Sequence, residues 1–151
     1  MAPGQAMCPS CRRRRKASPV YLESCPPSSE RVTVASVADA DDTVTAMIYR
    51  HVEPLVADAG LFVLIISIDG DVEGDAAAYL DHALQRAVLD GAPVCCDLSS
   101  ARFFGAAGAT VVLTAAERAA DVGTLLLLRG VHGLTGRVLD AVGFERGLII
   151  E

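Results

Sequence analysis

No apolar run in this chain is long enough to cross a membrane. The longest strongly apolar stretch, Leu61–Ile66, falls far short of the roughly 20 residues a membrane helix requires. A secretory leader is not expected either, because Arg12–Arg15 are followed by Ala17-Ser18-Pro19-Val20-Tyr21-Leu22-Glu23, which has no apolar stretch of leader length. Positive charge is scarce outside the first segment. Residues 1–31 carry Arg12 to Arg15, Lys16 and Arg31 against Glu23 and Glu30, a net of +4, whereas 32–151 carry 7 arginines against 17 acidic residues, a net of −10. An acidic body excludes nucleic acid as the main partner, since phosphate repulsion would have to be overcome. Internal repeats are absent. The expected setting is the cytoplasm, with no membrane contact.

What is present is a large supply of small aliphatic residues. At 52% hydrophobic over 151 residues, the chain has material for one core plus an appendage. Residues 1–43 read as a disordered, basic, cysteine-containing arm, with a weakly alternating stretch at Val32–Val37 and a turn at Asp39–Asp42. The folded domain is expected over 44–151. Its strands are predicted at Val44–Val52, Leu61–Ile68, Pro93–Leu98, Thr124–Leu128 and Leu148–Ile150. Helices are predicted over 75–90, with Asp75 as N-cap, Ala77, Leu80, Leu84, Ala87 and Val88 inward and Gly91 as the stop. Two more follow at 106–121, with Val111, Val112, Ala115 and Ala119 inward, and at Leu134–Val142, closed by Gly143. Strand–helix alternation of this kind implies an α/β fold with a mixed, mostly parallel sheet and packed amphipathic helices.

The stretch Asp97-Leu98-Ser99-Ser100-Ala101-Arg102-Phe103-Phe104-Gly105-Ala106-Ala107-Gly108 runs out of a buried strand, turns at two aromatics and enters an alanine-rich helix. It resembles the STAS domain of anti-sigma factor antagonists, where this junction reads aspartate-leucine, four variable residues, phenylalanine, one variable residue, then aspartate-serine-serine-glycine. Ile68-Asp69-Gly70-Asp71-Val72-Glu73 is similar to that family's glycine-glutamate-leucine-aspartate signature, with Asp71, Val72 and Glu73 in the last three places. Arg137-Val138-Leu139-Asp140-Ala141-Val142-Gly143-Phe144 is similar to its helix ending in glycine-leucine.

The resemblance implies a STAS-like fold that lacks the family's last helix. It also implies a non-catalytic protein without a cofactor, which binds a kinase-fold anti-sigma factor and so frees a sigma factor. The implied partner-binding residues are Gly70, Asp71, Glu73, Phe103, Phe104, Gly105, Ala106, Ala107 and Gly108. In the family the second serine of the quartet is phosphorylated by the partner kinase. Here Ala107 holds that position, Ala106 replaces the first serine and Gly105 the aspartate. The antagonism is therefore expected to be independent of serine phosphorylation. The alternative is a scaffold or homo-oligomerising STAS module, thiol-regulated through the cysteines.

Other residues carry competing readings. Ser99, Ser100 and Thr110 are the nearest hydroxyls to Ala107 and either accept a phosphate in its place or, as serines after a strand commonly do, close turns. Adjacent Cys95 and Cys96 on a strand point to opposite faces, so they either pack as small hydrophobes or one of them bonds an arm cysteine as a redox switch. Cys8 and Cys11 have the spacing used for zinc and for thiol redox chemistry. Only Cys25 lies near them, and His51, His82 and His132 have no metal-type spacing, so no metal is expected. Asp69, Asp71, Glu73 and Asp75 lack the terminal bidentate glutamate of a calcium loop and read as a solvated turn or an acidic contact surface.

Overall fold

A computed structural model describes residues 30–54, 60–144 and 148–150. The elements in chain order are β1 (Val32–Ala38), β2 (Val44–Pro54), β3 (Phe62–Val72), α1 (Gly74–Leu89), β4 (Val94–Phe104), α2 (Ala106–Asp121), β5 (Leu126–Arg129), α3 (Gly133–Ala141) and β6 (Ile149–Ile150). They form one sheet whose spatial order follows the chain order. β1, β2 and β3 pair antiparallel, and β3 through β6 pair parallel.

The weak alternation at Val32–Val37 is a true strand. It pairs with β2 and sends Val37 into the core, so the folded unit includes residues assigned to the 1–43 arm. The Asp39–Asp42 turn joins the two strands, and Asp39 Oδ1 accepts from the N–H groups of Asp41 and Thr43. Cys8, Cys11 and Cys25 lie outside the described residues. β4 also runs further than expected. Ser99 through Phe104 continue the strand, so the two aromatics end it rather than turn away from it.

Helix spacing is read accurately because the apolar stripes are uninterrupted. α1 buries Ala76, Ala77, Leu80, Ala83, Leu84, Ala87 and Val88, and α2 buries Gly108, Ala109, Val112, Ala115 and Ala119. The N-cap of α1 is Glu73 rather than Asp75. Gly74 opens the helix at φ 53, which puts Asp75 in the first turn, where its charge faces the positive end of the helix.

All three helices pack on one face of the sheet. Their buried residues share a core with Ile48, Leu64, Ile66, Ile68, Val94, Cys96, Leu98, Leu126 and Leu128. The opposite face carries a small cluster of Val63, Ile65 and Cys95, against which Leu127 packs. The two cysteines thus point to opposite faces, as adjacent strand residues must.

The second face is closed by charge rather than by a helix. Arg129 on β5 donates through Nη1 to Glu53 Oε2 at 2.9 Å and through Nη2 to Asp97 Oδ2 at 2.8 Å. His51 Nε2 meets Glu53 Oε1 at 2.7 Å, and Ser99 donates its N–H to Asp97 Oδ1 at 2.9 Å. Because Arg129 is in register with Asp97 while Glu53 is in register with Val63, the guanidinium spans β4 and β3 diagonally. Ile65 and Cys95 on the same face are each 1% exposed. Further along this face Arg31 stacks on the Tyr49 ring at 4.0 Å and donates to Ser67 Oγ at 2.9 Å.

The hydrogen bond from Arg129 is the main reason the Glu53 carboxyl falls from 4.5 to about 2; burial opposes it, and the bond to His51 adds a smaller lowering. Burial pushes Asp97 up, but the bonds from Ser99 and Arg129 together hold it below its ordinary value. A depressed carboxyl stabilises the fold fully above its unfolded pKa, and that contribution is lost as pH falls through the folded value. Glu53→Gln should therefore lower the urea midpoint at pH 7 and flatten its decline between pH 4.5 and 2. Urea titrations of both proteins across that range check this.

Candidate functional site

The parallel half of the sheet delivers its C-terminal strand ends to one edge. There Asp71 and Val72 of β3 lie in register with Phe103 and Phe104 of β4. α1 and α2 begin immediately beyond these strands, so both helix N-termini open on the same edge. This is the edge where α/β sheets commonly present their ligands.

Gly70 fixes how closely β2 and β3 approach. Its φ is +120, and a Cβ there would collide with the Thr45 carbonyl and come within 2.8 Å of Ala46 Cα. Gly108 has the same role between sheet and helix, since a Cβ on it would sit 2.9 Å from the Phe104 ring and 3.0 Å from Val72 Cγ1. Phe104 is buried at this junction, and it holds the start of α2 against the end of β3. Phe103, by contrast, is 50% exposed.

Around Phe103 the surface is small and unadorned. Gly105 is the N-cap of α2 and offers no side-chain cap, while Ala106 and Ala107 are exposed in a first turn without an acidic residue. The N–H groups of that turn keep their partial positive charge. Thr110 is exposed a turn further on, and its hydroxyl donates to the Ala106 carbonyl at 2.9 Å. Asp71 is half-buried, and Arg102 Nε lies 3.9 Å from its Oδ1 while Arg102 Nη2 donates to the Thr45 carbonyl at 3.1 Å. Glu73 is exposed beside them.

Gly70, Asp71, Glu73 and Phe103 to Gly108 thus come together on one edge. The cysteines do not join them. Burial pushes the Cys95 thiol up to about 11 and the Cys96 thiol higher still, so both are held in the unreactive thiol form. Ser99 is not in a turn but within β4, and its hydroxyl donates to Asp97. Among the described residues no group of three or more His, Cys, Asp and Glu side chains converges to hold a metal ion. Sequence reasoning missed Arg102, Arg129 and Glu53, whose partners are distant along the chain and carry no motif.

A family model for the Mlab STAS domain matches residues 57–151. The chain belongs to the STAS domain family. No curated protein matches the sequence. Its STAS fold is similar to an anti-sigma factor antagonist from Mycobacterium paratuberculosis, at 22% identity and TM-score 0.52 over 71% of this chain and 83% of that one. It is also similar to the anti-sigma factor antagonist SpoIIAA in its unphosphorylated form, at 14% identity and TM-score 0.50 over 68% of this chain and 87% of that one. The Bacillus cell fate determinant SpoIIAA in its phosphorylated form gives 14% identity and TM-score 0.51, over 67% of this chain and 88% of that one.

The positive φ at Gly70 and the collision at its Cα set it apart from Gly123, which has φ +79 but open space around it. Gly70→Ala should cost about 3 kcal/mol, against about 1 kcal/mol for Gly123→Ala in the STAS fold. Urea denaturation of the two variants beside the parent gives the comparison.

Proposed function

We propose that the chain is a non-catalytic regulator that docks a partner protein on the edge built by Gly70, Asp71, Glu73 and Phe103 to Gly108. The observation that carries this reading is a half-exposed Phe103 beside an uncapped, charge-free helix start at Ala106 and Ala107. An exposed aromatic among small residues is the kind of anchor that protein interfaces use. The partner is an anti-sigma factor of kinase fold, drawn away from its sigma factor in the cytoplasm. Support comes from STAS membership and from two similar solved folds described as anti-sigma factor antagonists.

Serine phosphorylation is not the switch in this reading. Neither Ala106 nor Ala107 has a hydroxyl, so neither can bring a phosphate's charge to the first turn of α2. Thiol oxidation at Cys95 or Cys96 is a poor substitute, given their burial. The alternative of an oligomerising module draws on exposed Val32 and Val34 of the edge strand β1. Sedimentation of the full chain over a range of concentrations separates the two readings.

Phe103→Ala and Ala107→Glu should each abolish capture of a kinase-fold anti-sigma factor while changing stability by no more than about 0.5 kcal/mol, as exposed substitutions do. The full chain should acquire no phosphate when incubated with that partner and MgATP. Ala107→Ser alone should remain a poor substrate, because Gly105 and Ala106 also depart from the family motif. Undiminished capture by both binding variants, or efficient phosphorylation of the parent chain, contradicts the proposal.

A further inference from the structure

Among the described residues, the helix layer leaves one strip of the sheet open. Between β1 and residues 79–90 of α1 and its cap lies a groove of about 570 Å3, lined along the strand by Val32, Val34 and Ala35 and along the helix by Tyr79, His82 and Arg86. Its floor is apolar and belongs to the core, formed by Ile66, Ala83 and Ala87. Val32, Val34 and Tyr79 are 57%, 47% and 52% exposed, so apolar surface continues up both walls. Adjacent apolar exposure of this kind marks an interaction surface.

The rim has the opposite charge to the rest of the body. Arg50, His82 and Arg86 stand around the groove, with Asp90 as its acidic residue. Asp90 meets Arg50 at 3.8 Å with both side chains more than half exposed, a wide and wet contact, and Arg86 gives the rim its excess of positive charge. His82 and Arg86 form no ion pair among the described residues. On a segment, 32–151, whose net charge is −10, a cation-rimmed apolar trough selects its ligand by sign. The chain's own first segment is ill matched to it, because Arg12 to Arg15 and Lys16 repeat the charge of the rim.

The shape favours a helix. Residues 79–90 of α1 and its cap run about 16 Å along the groove at 1.5 Å per residue, about three turns. Among the described residues no element covers the sheet strip beside them, whereas α2 and α3 cover β4 and β5 on the same face. We propose that this groove receives an acidic amphipathic helix of a partner protein, its apolar stripe seated on Val32, Val34, Ile66 and Ala83 and its carboxylates paired with His82, Arg86 and Arg50. That is the helix-in-groove mode of recognition, with sign supplied by the rim. The groove lies at the far end of α1 from the Phe103 edge, so this inference stands or falls apart from the function proposed above.

The test is fluorescence anisotropy of the full chain with a fluorescein-labelled twelve-residue helical peptide. The peptide carries leucines on one stripe and glutamates on its flanks, and a counterpart carries lysines in place of the glutamates. The glutamate peptide should bind saturably and the lysine peptide should not. Arg86→Glu, and His82→Glu with Arg86→Glu, should weaken the glutamate peptide by about tenfold or more and admit the lysine peptide, because like charges across an interface repel. These exposed positions leave the core intact, and an unchanged thermal midpoint verifies it. Equal binding of both peptides, no binding of either, or indifference to the variants overturns the proposal. So does binding of laurate in the absence of peptide binding, which makes the groove a fatty-acyl site. A dimer of the parent chain that Arg86→Glu dissociates also overturns it, since the occupant is then a second copy.

Discussion

Everything in this molecule follows from a sheet whose spatial order repeats its chain order. Each parallel step from β3 to β6 must return on the same side, because right-handed crossovers between neighbouring strands place their connections on one face. Three helices therefore crowd one face, and the ends of β3 and β4 meet the starts of α1 and α2 at a common edge. Among the described residues no helix lies on the opposite face or on the strip beside β1. The first omission is closed by Arg129 reaching from β5 to Glu53 on β2, and the second is left as the cation-rimmed groove.

The two ends of the sheet use electrostatics in opposed ways. In the clasp that Arg129 makes with Glu53 and Asp97, charges are paired, hydrogen-bonded and partly shielded, which drives Glu53 down to about 2. At the Phe103 edge charge is kept out of the α2 start. Gly105, Ala106, Ala107 and Gly108 let the helix approach the sheet closely while leaving its first N–H groups open. In the proposed function, a STAS domain built this way presents a fixed surface, and recognition rests on shape and an exposed aromatic rather than on a change of charge.

Local pattern revealed much of this, and long-range contact the rest. The stripes of α1 and α2 are read within a residue or so because alanine, leucine and valine recur at helical steps without interruption. Cys95 and Cys96 are read to opposite faces from strand geometry alone. The end of β4 is misread as a turn because Ser99, Ser100, Arg102 and Phe103 are exposed there, and an exposed strand end has no apolar run to mark it. Glu73 is overlooked as N-cap because it makes no side-chain capping bond, whereas aspartate two residues on has the expected chemistry. The motif residues from Gly70 to Gly108 share one edge, which their adjacency to strand ends foretells. The clasp had no local signal, since Glu53 and Arg129 lie 76 residues apart.

The most direct measurement is a hydrogen-exchange footprint of the full chain with and without the proposed partner, a kinase-fold anti-sigma factor. The account predicts slowed exchange at residues 70–75 and 103–110, with the clasp strands β2 and β5 unchanged. Slowing confined to the clasp face, or none at the Phe103 edge in a saturated complex, would contradict it.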